Sequence, residues 1–263
     1  MQDVQNWPDE RGIPIDRAGV SGIRYPIAVL DRNEGKQQTV AVVSATASVS
    51  ATAKGTHMSR FVELLNAHAG ELTLNTIPGL LGELREHLAA DRADIEVKFT
   101  YFLMREAPIT GSRGLMDYDC WFRGVDDGAT DSFVLGVRTP VTSLCPCSKE
   151  ISDYGAHNQR GYVTIEVESA READGSPCLV WIEELVELAE QAGSCPVYPV
   201  LKRPDERHVT MQAFDNPVFV EDMVRDVAVR LDQDHRVAAY RVEAQNQESI
   251  HNHDAFAVIS SGM

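Results

Sequence analysis

The stretch IEVKFTYFL at residues 95–103 places an apolar side chain at every second position. Successive side chains of a β-strand point to opposite faces, so this period of two predicts a strand with one buried face. Residues 115–125 are predicted to be its antiparallel partner, because the segment 106–114 between them holds a proline and a glycine typical of a turn. A β-hairpin is therefore the starting point of the predicted fold.

Further elements extend the pattern on both sides of the hairpin. More strands are predicted at residues 40–49, 133–137, 163–167, 238–242 and 255–259. Helical spacing of apolar residues predicts helices around residues 58–65, 80–88, 182–189 and 216–231. In the last of these, Asn216 is predicted to be the N-cap and Pro217 the first helical residue.

The order of strands, two helices and strands occurs twice along the chain. This order predicts an α+β protein with antiparallel sheets and helices on one face. The polar, turn-rich segment 124–130 separates the two halves and predicts one domain at residues 1–127 and another at 128–263.

Composition limits the classes of protein and of partner. The 263 residues are 43% hydrophobic and 24% charged, and no apolar run approaches the length of a membrane span or a signal peptide. We therefore expect a cytoplasmic protein with no membrane partner. The net charge of −16 argues against a nucleic-acid partner. The five cysteines are odd in number and unevenly spaced, which argues against a disulfide framework; Cys120, Cys178 and Cys195 are predicted to be buried thiols.

Three polar clusters lie between the apolar stretches, at residues 145–160, 202–206 and 248–253. Together they supply thiolate, carboxylate and imidazole, the side chains that bind zinc and neighbouring transition metals. No single helix or strand can present all three clusters, so the fold must bring them together. The pattern predicts a catalytic metal site.

Cys145-Pro146-Cys147 is the most distinctive part of the first cluster. If the segment is extended, the two sulfurs point the same way, so that one can hold a metal while the other takes part in proton transfer. Two buried structural thiols are the alternative. His157 in a predicted turn and Glu206 in a predicted polar loop are each also typical of surface residues, and only their joint presence favours a site.

Several longer motifs resemble the type IB GTP cyclohydrolases, and the resemblance covers nearly the whole chain. The motifs are GIRYPI (22–27), KGTHMSRF (54–61), VTSLCPCSKEISDYGAHNQ (141–159), LKRPDE (201–206), NPVFVEDMVRD (216–226) and ESIHNHDA (248–255). The resemblance implies two tunnelling-fold units in tandem, each an antiparallel sheet backed by two helices. It also implies a homotetramer with active sites where subunits meet.

The resemblance further implies a reaction and a metal site. The reaction is hydrolysis of GTP to 7,8-dihydroneopterin triphosphate and formate, the first step of tetrahydrofolate and pterin biosynthesis. The implied metal ligands are Cys145, Glu206 and His251, with one divalent ion (Zn²⁺, Mn²⁺ or Fe²⁺) in each active site. Cys145, Cys147 and His157 are the expected catalytic residues, with His157 as general acid–base and Cys147 assisting proton transfer.

Substrate contacts are implied for two carboxylates and a group of cations. Glu221 and Glu248 are expected to bind the purine or pterin ring. The expected triphosphate ligands are Lys149, Arg160, Lys202 and Arg203. His57 and Arg60 are expected either to contribute from a neighbouring subunit or to order their own loop.

Two other functions are compatible with parts of the pattern. One is the tunnelling-fold nitrile oxidoreductase of queuosine biosynthesis, which uses a cysteine nucleophile and a nicotinamide cofactor but has a Lys-rich motif that is not found here. The other is a non-catalytic binding module stabilised by a closed zinc site. Stoichiometric metal in the purified protein would distinguish a GTP cyclohydrolase from the nitrile oxidoreductase. The Cys145→Ala variant would distinguish it from the binding module, because only loss of a structural zinc site would unfold the protein.

Overall fold

A computed structural model describes residues 5, 7–68, 70–73 and 75–263 of the chain. The strands are β1 (Ile15–Asp31), β2 (Gly35–Val49), β3 (Gly70–Glu71), β4 (Ala93–Glu106), β5 (Arg113–Asp126), β6 (Asp131–Leu144), β7 (Asn158–Ser169), β8 (Cys195–Pro196), β9 (Val237–Asn246) and β10 (Ala255–Ser261). The helices are α1 (Met58–Ala67), α2 (Ile77–His87), α3 (Pro146–Ile151), α4 (Ile182–Ala192), α5 (Arg203–Asp215) and α6 (Val220–Asp232). The predicted α+β class, with antiparallel pairing and helices, is confirmed.

Two compact units divide these elements, and both are discontinuous in sequence. Unit 1 comprises the described residues of Met1–Thr100, Trp121–Leu135 and Glu172–Pro177. Unit 2 comprises Tyr101–Cys120, Gly136–Arg171 and Cys178–Met263. Strands β4, β5 and β6 therefore contribute residues to both units, and the domain division at 127/128 stays a prediction.

Unit 1 is a sheet covered by α1 and α2. Its strands follow the order β3-β1-β2-β4-β5-β6, with β1 antiparallel to β2 and β2 antiparallel to β4. The core comes from alternate residues of the strands, where Phe99 and Phe122 pack with ring centroids 4.8 Å apart. Helix α2 has Pro78 in its first turn, where the missing amide hydrogen costs nothing, and it buries Leu80 and Leu84 completely.

In unit 2, the strands of the sheet are covered by α4 and α6. Its strands follow the order β4-β5-β6-β7-β9-β10, β8 pairs with β6, and β9 is antiparallel to both of its neighbours. Helix α4 ends at Ala192, and the next residue, Gly193, passes so close to β6 that a Cβ there would lie 2.7 Å from Cβ of Val141. Leu185 of α4 and Met223 of α6 are buried in this core.

The predicted strands and two of the predicted helices lie within observed elements of the same type, and the helix predicted around residues 80–88 ends one residue earlier, at His87. The start of the fourth helix is wrong. Helix α6 begins at Val220, where the Phe219 amide donates to Asp222 Oδ2 at 3.0 Å. Asn216 is instead the C-cap of α5, and its side-chain amide donates to the Gly193 carbonyl at 3.0 Å.

Five of the observed elements, β1, β3, α3, β8 and α5, were not predicted from the sequence. Strand β1 contains bulges, and helix α5 buries only Asp205 and Ala213, so neither has a regular apolar period. Among the helices of the described residues, none has both the length and the apolar character required to cross a membrane.

Candidate active site

An open cleft of about 390 Å³ lies in unit 2, where β6, β7, β9 and the start of α6 come together. Its polar lining includes Cys145, Gln159, Glu221, Asn246, Glu248 and Asp254. Cys145 and Gln159 belong to the first polar cluster, Glu248 to the third and Glu221 to the helix α6 motif, whereas Asn246 lies outside all of them. The structure thus brings together Cys145, Glu221 and Glu248, three of the predicted site residues.

Cys145 lies at the junction of β6 and α3. It is the N-cap of α3, with extended backbone angles (φ −69°, ψ 118°), and its sulfur accepts a hydrogen bond from the Ser148 amide at 3.4 Å. The predicted extended Cys-Pro-Cys segment is wrong, because Pro146 occupies the first position of a helix, where its fixed φ is favourable. Cys147 is therefore in the first turn of α3, with its side chain exposed.

His157 is held next to this junction by main-chain and side-chain contacts. Its carbonyl accepts from the Cys145 amide at 3.1 Å, and its own amide donates to Ser148 Oγ at 3.0 Å. These two bonds connect the catalytic candidates of the first cluster through the backbone. The position of His157 relative to Cys145 is thus determined by the fold of the loop.

A chain of side-chain hydrogen bonds connects His157 to Glu248 through Gln159. Gln159 Nε2 donates to Glu248 Oε1 at 3.1 Å, because an ionised carboxylate can only accept. Gln159 Oε1, 2.7 Å from His157 Nδ1, must then be an acceptor, so Nδ1 carries the hydrogen. In the neutral ring Nε2 is left as the basic nitrogen, and Ser249 Oγ, 3.3 Å from Nδ1, is positioned as a second acceptor.

Two side-chain oxygens near the end of β9 lack a hydrogen-bond donor among the described residues. They are Glu248 Oε2 and Asn246 Oδ1, and both atoms are buried. Buried acceptors are nearly always paired in folded proteins. Both residues line the cleft, so a ligand with N–H or O–H groups is the natural partner.

Glu221 is the second residue of α6, and it is exposed in the cleft lining. The positive end of the helix dipole favours a negative charge at this position. A carboxylate held there can accept two parallel hydrogen bonds from one edge of a planar ligand. The role of Glu221 in ring binding stays a prediction.

The second polar cluster forms the start of α5, so the predicted loop around Glu206 is wrong. Lys202 is the N-cap, and Asp205 is the buried residue that anchors the helix by accepting from Thr110 Oγ1 at 2.7 Å and from the amides of Ile109 and Lys202. Burial raises the pKa of Asp205, but these hydrogen bonds outweigh it and hold the pKa well below its ordinary value. The side chains of Lys202, Arg203 and Glu206 are exposed and are not part of the cleft lining.

The other predicted cations and His251 also lie outside the cleft lining. Lys149 donates to the Phe214 carbonyl and lies 4.4 Å from the centre of the Phe214 ring, while Arg160 is exposed. His251 stacks on His253 with ring centroids 5.2 Å apart. Within the described residues, no three His, Cys, Asp or Glu side chains are grouped so as to hold a metal ion, and the ligand set of Cys145, Glu206 and His251 stays a prediction.

In unit 1, His57 is the N-cap of α1, and the Arg60 guanidinium donates to the His87 carbonyl at the end of α2. The second contact links α1 to α2. It is compatible with the predicted role of Arg60 in ordering its own segment.

Comparison with solved structures identifies the fold. Urate oxidase from Bacillus subtilis 168 matches with a TM-score of 0.53 and 9% identity, covering 93% of this chain and 98% of that one. A uricase from Bacillus fastidious matches with a TM-score of 0.53 and 8% identity, covering 93% and 92%. The chain is thus a tunnelling-fold protein, with an acceptor-lined cleft beside a cysteine.

Sequence comparison identifies the family. A family model described as type I GTP cyclohydrolase FolE2 matches residues 1–257. The chain is 50% identical to GTP cyclohydrolase FolE2 of Nitrosococcus oceani and 51% identical to that of Methylococcus capsulatus, in each case over 98% of this chain and 94% of the relative. The chain belongs to the type I GTP cyclohydrolase FolE2 family, and the predicted enzyme class is confirmed.

Proposed function

We propose that the cleft of unit 2 is where this GTP cyclohydrolase converts GTP to 7,8-dihydroneopterin triphosphate and formate in folate biosynthesis. The family supports the activity. The location rests on two buried acceptors, Glu248 Oε2 and Asn246 Oδ1, for which the described residues supply no donor and which line the same cleft as Cys145 and Glu221. The guanine ring is the part of GTP that supplies N–H donors along one edge.

Glu221 is the residue that we propose to hold this edge. Its two carboxylate oxygens match the ring N1–H and one hydrogen of the exocyclic amine, which lie side by side. The start of α6 presents the carboxylate to the cleft. Bound in this way, the purine lies against a cleft that also contains Cys145, close to the hydrogen-bond chain of His157.

His157 is proposed to move protons at the imidazole half of the purine. Water must add to C8, after which the imidazole ring opens and a second hydrolysis releases C8 as formate. The basic Nε2 of His157 can take a proton from the attacking water and give it to N7 as water adds across the N7–C8 bond. The ring then opens by cleavage of the C8–N9 bond, and the proton of the new C8 hydroxyl passes to N9 as C8 becomes a formyl carbon. Cys147, exposed in the first turn of α3, is proposed to assist this proton transfer.

We propose that a divalent ion (Zn²⁺, Mn²⁺ or Fe²⁺) is held by Cys145, Glu206 and His251. The Cys145 sulfur fits, because it lies in the lining of the cleft and sulfur is a common ligand of divalent transition metals. When bound, such an ion supplies Lewis-acid activation of water. Glu206 and His251 are exposed, and we propose that a homotetramer completes the site where subunits meet.

The triphosphate is proposed to contact basic side chains near the start of α5. Lys202 and Arg203 are exposed there, Lys149 lies in the motif at 141–159, and Arg160 directly follows that motif. Local cations are necessary because the chain carries a net charge of −16, which disfavours an anionic substrate. We also propose that the enzyme acts in the cytoplasm.

The test is incubation of the purified protein with GTP and Zn²⁺, Mn²⁺ or Fe²⁺ in turn. The expected result is formate in equal amounts with a pterin that becomes fluorescent on oxidation. The Cys145→Ala variant should lose bound metal and at least about a thousandfold of turnover while it stays folded, and Cys178→Ala is the matched control. A protein inert towards GTP with all three metals would overturn the proposal, and global unfolding of Cys145→Ala would favour the binding-module alternative.

A further inference from the structure

Asn246 is a buried residue of the cleft that the sequence motifs do not single out. It is the last residue of β9, it is 4% exposed, and it lies two residues before Glu248, which also lines the cleft. Its side-chain oxygen has no hydrogen-bond donor among the described residues. An unpaired acceptor at this depth costs free energy unless a ligand supplies the donor.

The orientation of the Asn246 amide is determined by its neighbours. Ser143 Oγ donates its only hydrogen to the Val218 carbonyl, at 3.2 Å, because a carbonyl cannot donate. The hydroxyl can therefore only accept from Asn246, whose Nδ2 lies 2.8 Å away. The amide nitrogen is thus turned towards Ser143, and the oxygen is turned away from it.

On its other side, the Asn246 side chain packs against a glycine. Gly161 of β7 pairs with Asn246 in the sheet. A Cβ at this position would lie 2.6 Å from Asn246 Oδ1, which is too close for the amide to keep its place. The amide is therefore held by a hydrogen bond on one side and packs against the glycine on the other.

We propose that Asn246 is a specificity-determining residue, whose side-chain oxygen accepts a hydrogen from the exocyclic 2-amino group of guanine. This inference rests on the proposed function. The guanine edge carries three N–H hydrogens, one on N1 and two on the 2-amino group. Glu221 accepts two of them, and the remaining amine hydrogen requires one more acceptor in the same cleft. Asn246 Oδ1 meets this requirement, and a purine without the amine leaves it unpaired.

The test compares GTP with inosine triphosphate, which lacks only the 2-amino group. The specificity constants kcat/KM for both nucleotides are measured with metal-loaded wild type, Asn246→Leu and Asn246→Asp, with formate as the common product. The preference for GTP should fall about tenfold in Asn246→Leu, because the site no longer holds an acceptor that only GTP can satisfy. Asn246→Asp keeps an acceptor and should retain the preference.

The outcomes separate this inference from the proposed function. A wild type that releases no formate from GTP refutes the proposed function. If the wild type is active but prefers GTP no more strongly than Asn246→Leu does, only the inference is refuted. The inference is also refuted if Asn246→Leu and Asn246→Asp lose the GTP preference equally, because that result would indicate a purely structural role of Asn246 through Ser143. The preference for GTP over 2′-deoxyGTP provides a control. If Asn246→Leu reduced this preference to a similar extent, the assignment of Asn246 to the 2-amino group would also be overturned.

A second variant keeps the inference testable if Asn246→Leu does not fold. Ser143→Ala releases the Asn246 amide without removing its oxygen. The GTP preference should then fall severalfold, because the acceptor is no longer held in place. An unchanged preference in Ser143→Ala would contradict the inference.

Discussion

Each unit has a polar cleft of similar size, but the two clefts differ in how their charged groups are paired. The cleft of unit 1, about 440 Å³, is lined by residues that include Arg17, Arg92 and Asp94. Asp94 is buried there and accepts from Arg92 at 2.7 Å, with Arg17 at 3.8 Å. In the cleft of unit 2, by contrast, Glu248 Oε2 and Asn246 Oδ1 have no hydrogen-bond donor in the part of the chain that the structure describes.

This difference shows how one type of sheet-and-helix unit can have either a structural or a chemical role. Paired charges contribute to the stability of the unit that contains them, and they offer little to a ligand. Unpaired buried acceptors reduce stability until a ligand binds, which is typical of a binding site. Cys145 and the predicted catalytic residues also lie in unit 2.

The largest expected effect tests whether the two units are equally well packed. Leu84 of α2 and Leu185 of α4 are each at most 1% exposed, so Leu84→Ala and Leu185→Ala should each lower the free energy of unfolding by about 3 kcal/mol. Chemical denaturation monitored by circular dichroism measures both. A loss below about 1 kcal/mol in one variant would show that its core is loosely packed.

The next effect contrasts the two clefts directly. Glu248→Gln should reduce kcat/KM for GTP about a hundredfold with little loss of stability, because it removes a charge that awaits the ligand. Asp94→Asn should do the opposite, lowering stability by about 1–3 kcal/mol through the lost ion pair with Arg92 and leaving turnover unchanged. Loss of turnover in Asp94→Asn would mean that the cleft of unit 1 also contributes to the reaction.

A smaller effect concerns the hydrogen-bond chain that sets the His157 tautomer. Gln159→Leu removes the acceptor for Nδ1–H, and we expect turnover to fall about tenfold. Nitrogen NMR of the imidazole ring should show hydrogen on Nδ1 in wild type and a shift of the population towards Nε2–H in the variant. Gln191→Leu is the control, since Gln191 contacts Arg230 on the helices and not the cleft. An unchanged tautomer in Gln159→Leu would contradict the derived proton position.

The smallest effect is a pH dependence of stability in unit 2. Hydrogen bonds from Arg236 hold the pKa of Asp234 below its ordinary value, and both side chains are partly exposed. A lowered pKa means that the stabilisation is complete above the unfolded pKa near 4 and is lost as the pH falls below it. Asp234→Asn should lower the free energy of unfolding by about 1 kcal/mol at neutral pH and less at pH 3, as measured by urea titrations. Equal losses at both pH values would exclude this ionic contribution.

The sequence predicted the elements whose apolar residues have a regular period, such as β4 and the body of α6. Helix α5 has no such period, because most of its surface is exposed and it buries few apolar side chains. Its first turn is stabilised instead by hydrogen bonds to Asp205. Asn216 and Pro217 are typical of a helix start, yet Asn216 ends α5, since its side chain contacts the Gly193 carbonyl across the fold. Such a contact between distant residues has no local signature in the sequence.

The same distinction applies to the candidate site. Cys145, Glu221 and Glu248 lie in motifs that can be matched by their letters, and the structure places them in one cleft. Gln159 and Asn246 are ordinary amides in the sequence. Their roles depend on which side-chain atom of each amide is already hydrogen-bonded. Gln159 Nε2 donates to Glu248 and Asn246 Nδ2 donates to Ser143, and these contacts leave the two amide oxygens as acceptors. The proline after Cys145 could have predicted the start of α3, because proline is favoured at the first helical position.

The close approach of Gly193 to Val141 has a consequence for saturation mutagenesis of this enzyme. Gly193 has φ −78°, an angle that any amino acid can adopt, so backbone statistics alone would rate the position as permissive. A screen should nevertheless recover almost no substitutions there, because even alanine would push the end of α4 away from β6. We expect the few folded variants substituted at Gly193 to be catalytically impaired, because β6 continues directly into Cys145. If position 141 is varied at the same time, these folded variants should be enriched in residues smaller than valine at 141.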